Sequence, residues 1–268
     1  MDPIKNTAPV ESKSQPLYAT EFVELASIGL PLYPNNPALS SGKVEMRYMT
    51  AREEDIITSQ SYLKQGIAIE KLLESLIVTP IKIDDLLLGD FYGLMIAARV
   101  LGYGKDYSFD LTCPQCGHEH NKTEDLTLLK DRQIDASLFD ENGLASFYLP
   151  LARKNIKVRC LTRDLDKQIE AEIDKMVKIF PTKPRPELTT RLYYIIASVE
   201  GDTNPSTIRT LVDNLRSMDS LALREFIKKI TPGIDASFDF TCGWEGCQYS
   251  AKVAIPLTEN FFWPGANL

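Results

Sequence analysis

The stretch SFDFTCGWEGCQYS, Ser237–Ser250, repeats a phrase already used at Ser108–His120, SFDLTCPQCGHEH. Each copy runs Ser-Phe-Asp-apolar-Thr into a cysteine, a strand composition that ends at a thiol. Cys113 and Cys116 then stand two residues apart around a tight turn, and Cys242 and Cys247 stand four apart. Both gaps fall within the usual ligand spacing of a tetrahedral metal site. Each phrase therefore predicts a hairpin with two thiols at its tip, and the two hairpins face to face would make a zinc ribbon: one structural Zn2+ on Cys113, Cys116, Cys242 and Cys247.

The separation of the two halves is unusual. Between Cys116 and Cys242 lie 125 residues, so a helical segment would be inserted into the ribbon and the metal would tie together distant parts of the chain. Other readings of the pairs stay open. The four thiols can pack as unligated hydrophobes, or His118 or His120 can replace one cysteine. A catalytic zinc needs an open fourth position, which four cysteines do not leave. A redox pair of the thioredoxin type belongs at a helix start, whereas Cys113-Pro-Gln-Cys116 follows a strand. The fifth cysteine, Cys160, sits on the apolar side of an alternating run and reads as a small buried hydrophobe.

Composition sets the frame for this motif. The chain has 268 residues, of which 44% are hydrophobic and 25% charged, enough to build one large core or two small ones. There is no apolar run of membrane-spanning length, and MDPIKNTAPVESKSQP at the start has no signal-peptide core, so a cytosol-like compartment is expected. The formal net charge is -7. Lys105–Asp125 carries two lysines against five acids, and Asp235–Glu259 one lysine against four, which predicts no phosphate-binding ribbon and no nucleic-acid partner. No glycine-rich phosphate loop, Gly-x-Ser-x-Gly or His-Glu-x-x-His is present, and nothing in the sequence argues for an enzyme.

Outward from the cysteines, residues 1–16 predict a disordered or extended tail, and 17–49 an extended arm whose prolines forbid a long helix. Thr50 with Glu53 three residues later is a capping box, opening one helix that Pro80 stops. Its apolar stripe is Ile56, Tyr62, Leu63, Ile67, Ile69, Leu72, Leu73 and Leu76. A second helix is expected from about Asp84 to Leu101, with Gly102 and Gly104 as exit signals. After the first cysteine hairpin, another hairpin is expected over 146–162, then helices over 163–180, 187–200, 205–216 and 219–230. The sum is an α+β protein, mainly helical, with a zinc-ribbon-like module formed by two distant cysteine hairpins. Its units are the tail 1–16, an N-terminal arm and helical region 17–104, and the first knuckle 105–130. A hairpin plus helical segment 131–234 follows, then the second knuckle and aromatic tail 235–268.

The order of MTAREEDI, LLLGDFYGLMIAARVLGYGKDYSFDLTCPQCG, FTCGWEGC and IPLTENFFWP resembles the T4-type bacteriophage baseplate protein family over roughly residues 28 to 264. The second knuckle departs from a simple Cys-x-x-Cys by two extra residues, Trp244 and Glu245. The resemblance implies a non-enzymatic hub subunit or hub-assembly chaperone, in the virion tail or in the host cytoplasm during assembly. Its partners would be other tail and baseplate subunits. The runner-up is a zinc-ribbon adaptor engaging the transcription machinery. Phe261, Phe262 and Trp263 are then either aromatic anchors for a neighbouring subunit or a cover for the protein's own core.

Overall fold

The computed structural model describes residues 19–256 together with 261 and 262. The tail 1–16 and Trp263 lie outside the described residues. Helix accounts for 42% of the described residues and strand for 24%, so helix exceeds strand in a mixed fold.

The arm is a hairpin: β1 (Thr20–Glu24) pairs antiparallel with β2 (Lys43–Arg47), and a short helix α1 (Pro37–Ser40) lies in the connection. Prolines do forbid a long helix, but Val44 and Met46 of Lys-Val-Glu-Met-Arg alternate inward, both fully buried, and this period-2 pattern makes the arm a strand pair.

The single helix expected from Thr50 to Pro80 is three: α2 (Ala51–Ile57), α3 (Gln60–Gln65) and α4 (Ala68–Leu76). Gly66 ends α3 in the left-handed conformation at φ 69°, which a side chain disfavours. The break also re-aims the apolar stripe, since Leu72, Leu73 and Leu76 are fully buried while Leu63 is 46% exposed. The capping box forms, and more: Glu53 accepts from the Thr50 amide and hydroxyl, and Arg47 and Ser75 reach its other oxygen at 2.8 and 3.0 Å. A buried carboxylate thus binds β2, α2 and α4 together.

Helix α5 (Leu88–Tyr103) begins after a 3-10 turn at Ile83–Asp85, later than expected. Its first turn presses on distant backbone. A Cβ on Gly89 would meet the Pro232 carbonyl oxygen at 1.9 Å, so only glycine fits there. The next residue, Asp90, is fully buried and accepts from the Ser27 amide (2.9 Å), the Ser27 hydroxyl (2.6 Å) and the Tyr33 hydroxyl (2.6 Å).

The first cysteine hairpin is β3 (Asp106–Thr112) with β4 (Glu119–Asp125), followed by β5 (Lys130–Asp131). The expected central hairpin is β6 (Ala145–Leu149) with β7 (Lys154–Val158). Helix α6 (Arg163–Ile179) follows, then α7 (Glu187–Ile195), which stops short of the expected 187–200 because Ile196–Val199 is a strand, β8, paired to β7. All four of its residues are buried, three of them apolar, and so short a buried run reads equally as helix or strand until a partner is known. Helices α8 (Pro205–Asp213) and α9 (Ser217–Ile230) then lead to β9 (Ile234–Asp235) and the second cysteine hairpin, β10 (Ser237–Thr241) with β11 (Ser250–Ala254).

Three devices close the inserted segment. Strand β5 pairs with β9, bringing its two ends side by side. Phe226 of α9 stacks on Phe147 of β6 at 4.7 Å, and the buried Asp219 carboxylate accepts the amides of Leu151 and Ala152 in the hairpin turn. Along α6, Arg163 and Lys167 pair with Glu70 of α4, and Asp166 pairs with Arg191 of α7. The apolar core runs from the arm through α4 and α5 to the central sheet and α9, and it takes in Tyr107 and Phe109 of β3.

Candidate metal centre

Alternation aims the two hairpins at each other. In β3, Tyr107 and Phe109 are buried while Asp106, Ser108 and Asp110 are exposed, and the pattern carries Cys113 inward. In β10, Phe240 is buried and Asp239 exposed, and Cys242 follows on the inner side. The turns end their ladders alike: the Cys113 amide donates to the His118 carbonyl and the Cys242 amide to the Tyr249 carbonyl. The two extra residues of the second knuckle are absorbed inside its turn, beyond the last strand pair Thr241 with Ser250.

The four sulfurs of Cys113, Cys116, Cys242 and Cys247 all lie within 4.8 Å of one another. Cys113 faces Cys247 at 3.9 Å, and Cys116 faces Cys242 at 3.6 Å, so the first cysteine of each phrase meets the second of the other. A tetrahedral ion with sulfurs at about 2.3 Å spaces them by about 3.8 Å. A disulfide would need about 2 Å, and all five cysteines are free. The donor set thus fits a thiophilic divalent ion held by two ligands from each hairpin, with no position left open.

The backbone favours thiolate at this site. Burial pushes the Cys113 thiol up, but the amides of Cys116 and Gln115, with neighbouring thiols, outweigh it and hold it down at about 7. Burial pushes Cys242 up to about 12, against the amide of Trp244 and with three sulfurs crowding it. Four thiols in one place cannot all ionise without a cation among them, and that is the condition a bound metal relieves.

Around the sulfurs the cover is thin. Cys113, Phe240 and Cys242 are the buried members of this small cluster, with Leu111, Phe238, Cys247, Tyr249 and Val253 packed at its edge. His118 stacks on Trp244 at 4.3 Å, and Nε2 of His120 lies 3.3 Å from the Cys242 sulfur. The hairpins form separate two-stranded sheets, so no strand ladder joins them.

The remaining candidates fall elsewhere. Cys160 is buried, contacts the Ile230 carbonyl at 3.6 Å, and is pushed up to about 12 by burial and the nearby Asp90. Phe261 and Phe262 are 1% and 8% exposed, in the main core, with Phe261 edge-on to Tyr107 at 5.0 Å. Both rings thus pack against the chain's own core. Arg99 of α5 is buried beneath Tyr103 and Tyr107 and donates to the carbonyls of Gly104 and Asp106. It holds the turn from α5 into β3 and thereby sets where the first hairpin starts.

No helix of the described residues is long and apolar enough to cross a membrane. No curated protein and no solved structure matches the chain. A family model does, that of the T4 bacteriophage base plate protein, over residues 31–263. That span takes in α1 and β2 of the arm, the whole inserted segment and both cysteine knuckles, and the chain belongs to the T4 bacteriophage base plate protein family.

Proposed function

We propose that this chain is a non-enzymatic structural protein of a contractile-tail baseplate, a hub subunit or hub-assembly factor acting through contacts with other tail subunits. The family match across residues 31–263 carries the reading. In the same proposal, Cys113, Cys116, Cys242 and Cys247 hold one structural Zn2+, whose chemistry there is to neutralise four thiolates and pin the hairpins together. The full ligand count and the sulfur spacing support a structural site over a catalytic one. The adaptor reading finds no support in the exposed surface of the knuckles, where Asp106, Asp110, Glu119, Asp239 and Glu245 all face solvent.

Two measurements test this. Mass spectrometry of purified particles and of assembly intermediates separates the roles: a hub subunit persists in the particle, an assembly factor is confined to intermediates, and absence from both defeats the proposal. Metal analysis of the purified chain is expected to give about one zinc per chain.

A further inference from the structure

We propose that His120 is the positioning residue of the metal centre, an outer donor whose Nε2–H hydrogen-bonds the Cys242 thiolate across the gap between the hairpins. This rests on the reading of the four cysteines as a metal site. The four sulfurs lie within 4.8 Å of one another and already supply the four ligands a tetrahedral ion takes, so His120 has no coordination position to fill. Its Nε2 nevertheless lies 3.3 Å from the Cys242 sulfur. A metal-bound thiolate has only lone pairs to offer, so the ring nitrogen must carry the hydrogen.

The location of His120 explains why it can serve. It sits on β4, opposite Leu111 in the ladder, while Cys242 follows β10 in the other hairpin. Its ring is bracketed edge-to-face by Phe240 at 5.2 Å and by His118 at 4.8 Å, and His118 stacks in turn on Trp244 at 4.3 Å. One ring from each hairpin therefore brackets the imidazole, and Trp244 of the second hairpin backs His118. Lys122, two residues further along the same face of β4, places its ammonium over the Phe240 ring at 5.6 Å. With no strand ladder between the hairpins, the contact from His120 is a polar bond that joins them directly at a ligand. Donation to the sulfur draws off charge, which holds the thiolate in its metal-binding orientation and lowers its reactivity toward electrophiles.

The experiment uses the full chain loaded with Zn2+ or Co2+, with H120F to keep ring packing without a donor and H120Q to restore an N–H. X-ray absorption of the zinc-loaded wild type should show four sulfurs at about 2.3 Å and no nitrogen near about 2.0 Å. H120F is expected to bind Zn2+ about 10–100-fold more weakly, the range seen when outer partners of metal ligands are lost. It should also shift the thiolate-to-cobalt charge-transfer band to lower energy and alkylate Cys242 faster, and H120Q should recover part of each change. A nitrogen in the wild-type zinc shell overturns the proposal, because His120 would then be a ligand. So does an unchanged H120F, or an H120Q as impaired as H120F, which would make the ring mere packing. A wild-type chain that binds neither ion defeats the metal reading itself, a different outcome from normal loading with an indifferent His120.

Discussion

Phe109 and Phe238, the phenylalanines at the same position of the two repeated phrases, meet edge to face with ring centroids 5.5 Å apart and planes at 71°. The repeat is thus a spatial relationship: the equivalent phenylalanines of two sequence-distant hairpins touch, and the cysteine pairs, each beginning four positions further on, converge crosswise, Cys113 with Cys247 and Cys116 with Cys242. Edge-to-face pairs contribute about 1 kcal/mol beyond their buried area. A double-mutant cycle of Phe109→Ala and Phe238→Ala should therefore return a coupling of about 1 kcal/mol, with Phe109→Ala alone costing about 3 kcal/mol. Additive losses in denaturant unfolding would show that the two rings do not sense each other.

The knuckle module has too little apolar cover to be held by burial alone. Three buried residues form its own cluster, two of them candidate ligands. Structural zinc is worth about 10–16 kcal/mol apparent in small zinc-finger peptides. Chelation, or Cys116→Ser, should therefore collapse the NMR signals of β3–β4 and β10–β11 together to random-coil shifts while those of α6–α9 keep their native shifts. Retention of native shifts at both hairpins in the metal-free chain would count against a structural ion.

Asp90 gives the fold a pH signature. Burial raises its carboxyl above the ordinary aspartate value, even though Ser27 and Tyr33 donate to it. Between the unfolded value, about 3.9, and the raised native one, the folded chain holds a proton that the unfolded chain has released. Stability from this group therefore falls as pH rises through that window and is level above it. Tyr33→Phe removes a donor that favours the ionised form, so the window should extend upward. It also strips the Leu87 amide of its acceptor, at about 1–3 kcal/mol. Urea midpoints of the two proteins, followed from acid to neutral pH, should show the steeper decline in the variant, and parallel curves would refute the assignment.

Phe261 should behave as core. Its ring lies against Tyr107, whose hydroxyl donates to the Pro256 carbonyl at 2.8 Å and so holds the outgoing chain. Phe261→Ala is expected to cost about 3–5 kcal/mol, read as a lowered unfolding midpoint of the isolated protein. A variant of unchanged stability that fails to join a baseplate subassembly would instead assign Phe261 an anchor role.

Much of this protein was legible locally. The capping box at Thr50, the inward alternation of both Ser-Phe-Asp phrases, and the starts of α6, α8 and α9 follow from residues within a turn or two of one another, so local sterics and hydrogen bonding suffice to write them. The candidate ligands were legible for the same reason, because each pair of cysteines sits on one turn.

What the sequence left open depended on partners far along the chain. Ile196–Val199 became a strand because β7 offered its edge, and the Thr50–Pro80 helix broke at Ser59 and Gly66 so that Leu72, Leu73 and Leu76 could face a core assembled from elsewhere. The sequence by itself determined two thiol-bearing hairpins and a helical insertion between them. Only the tertiary structure decided that β5 and β9 pair, that the pairs cross as Cys113 with Cys247 and Cys116 with Cys242, and that Phe261 turns inward. Those choices are set by long-range burial of apolar surface, which no local window of sequence encodes.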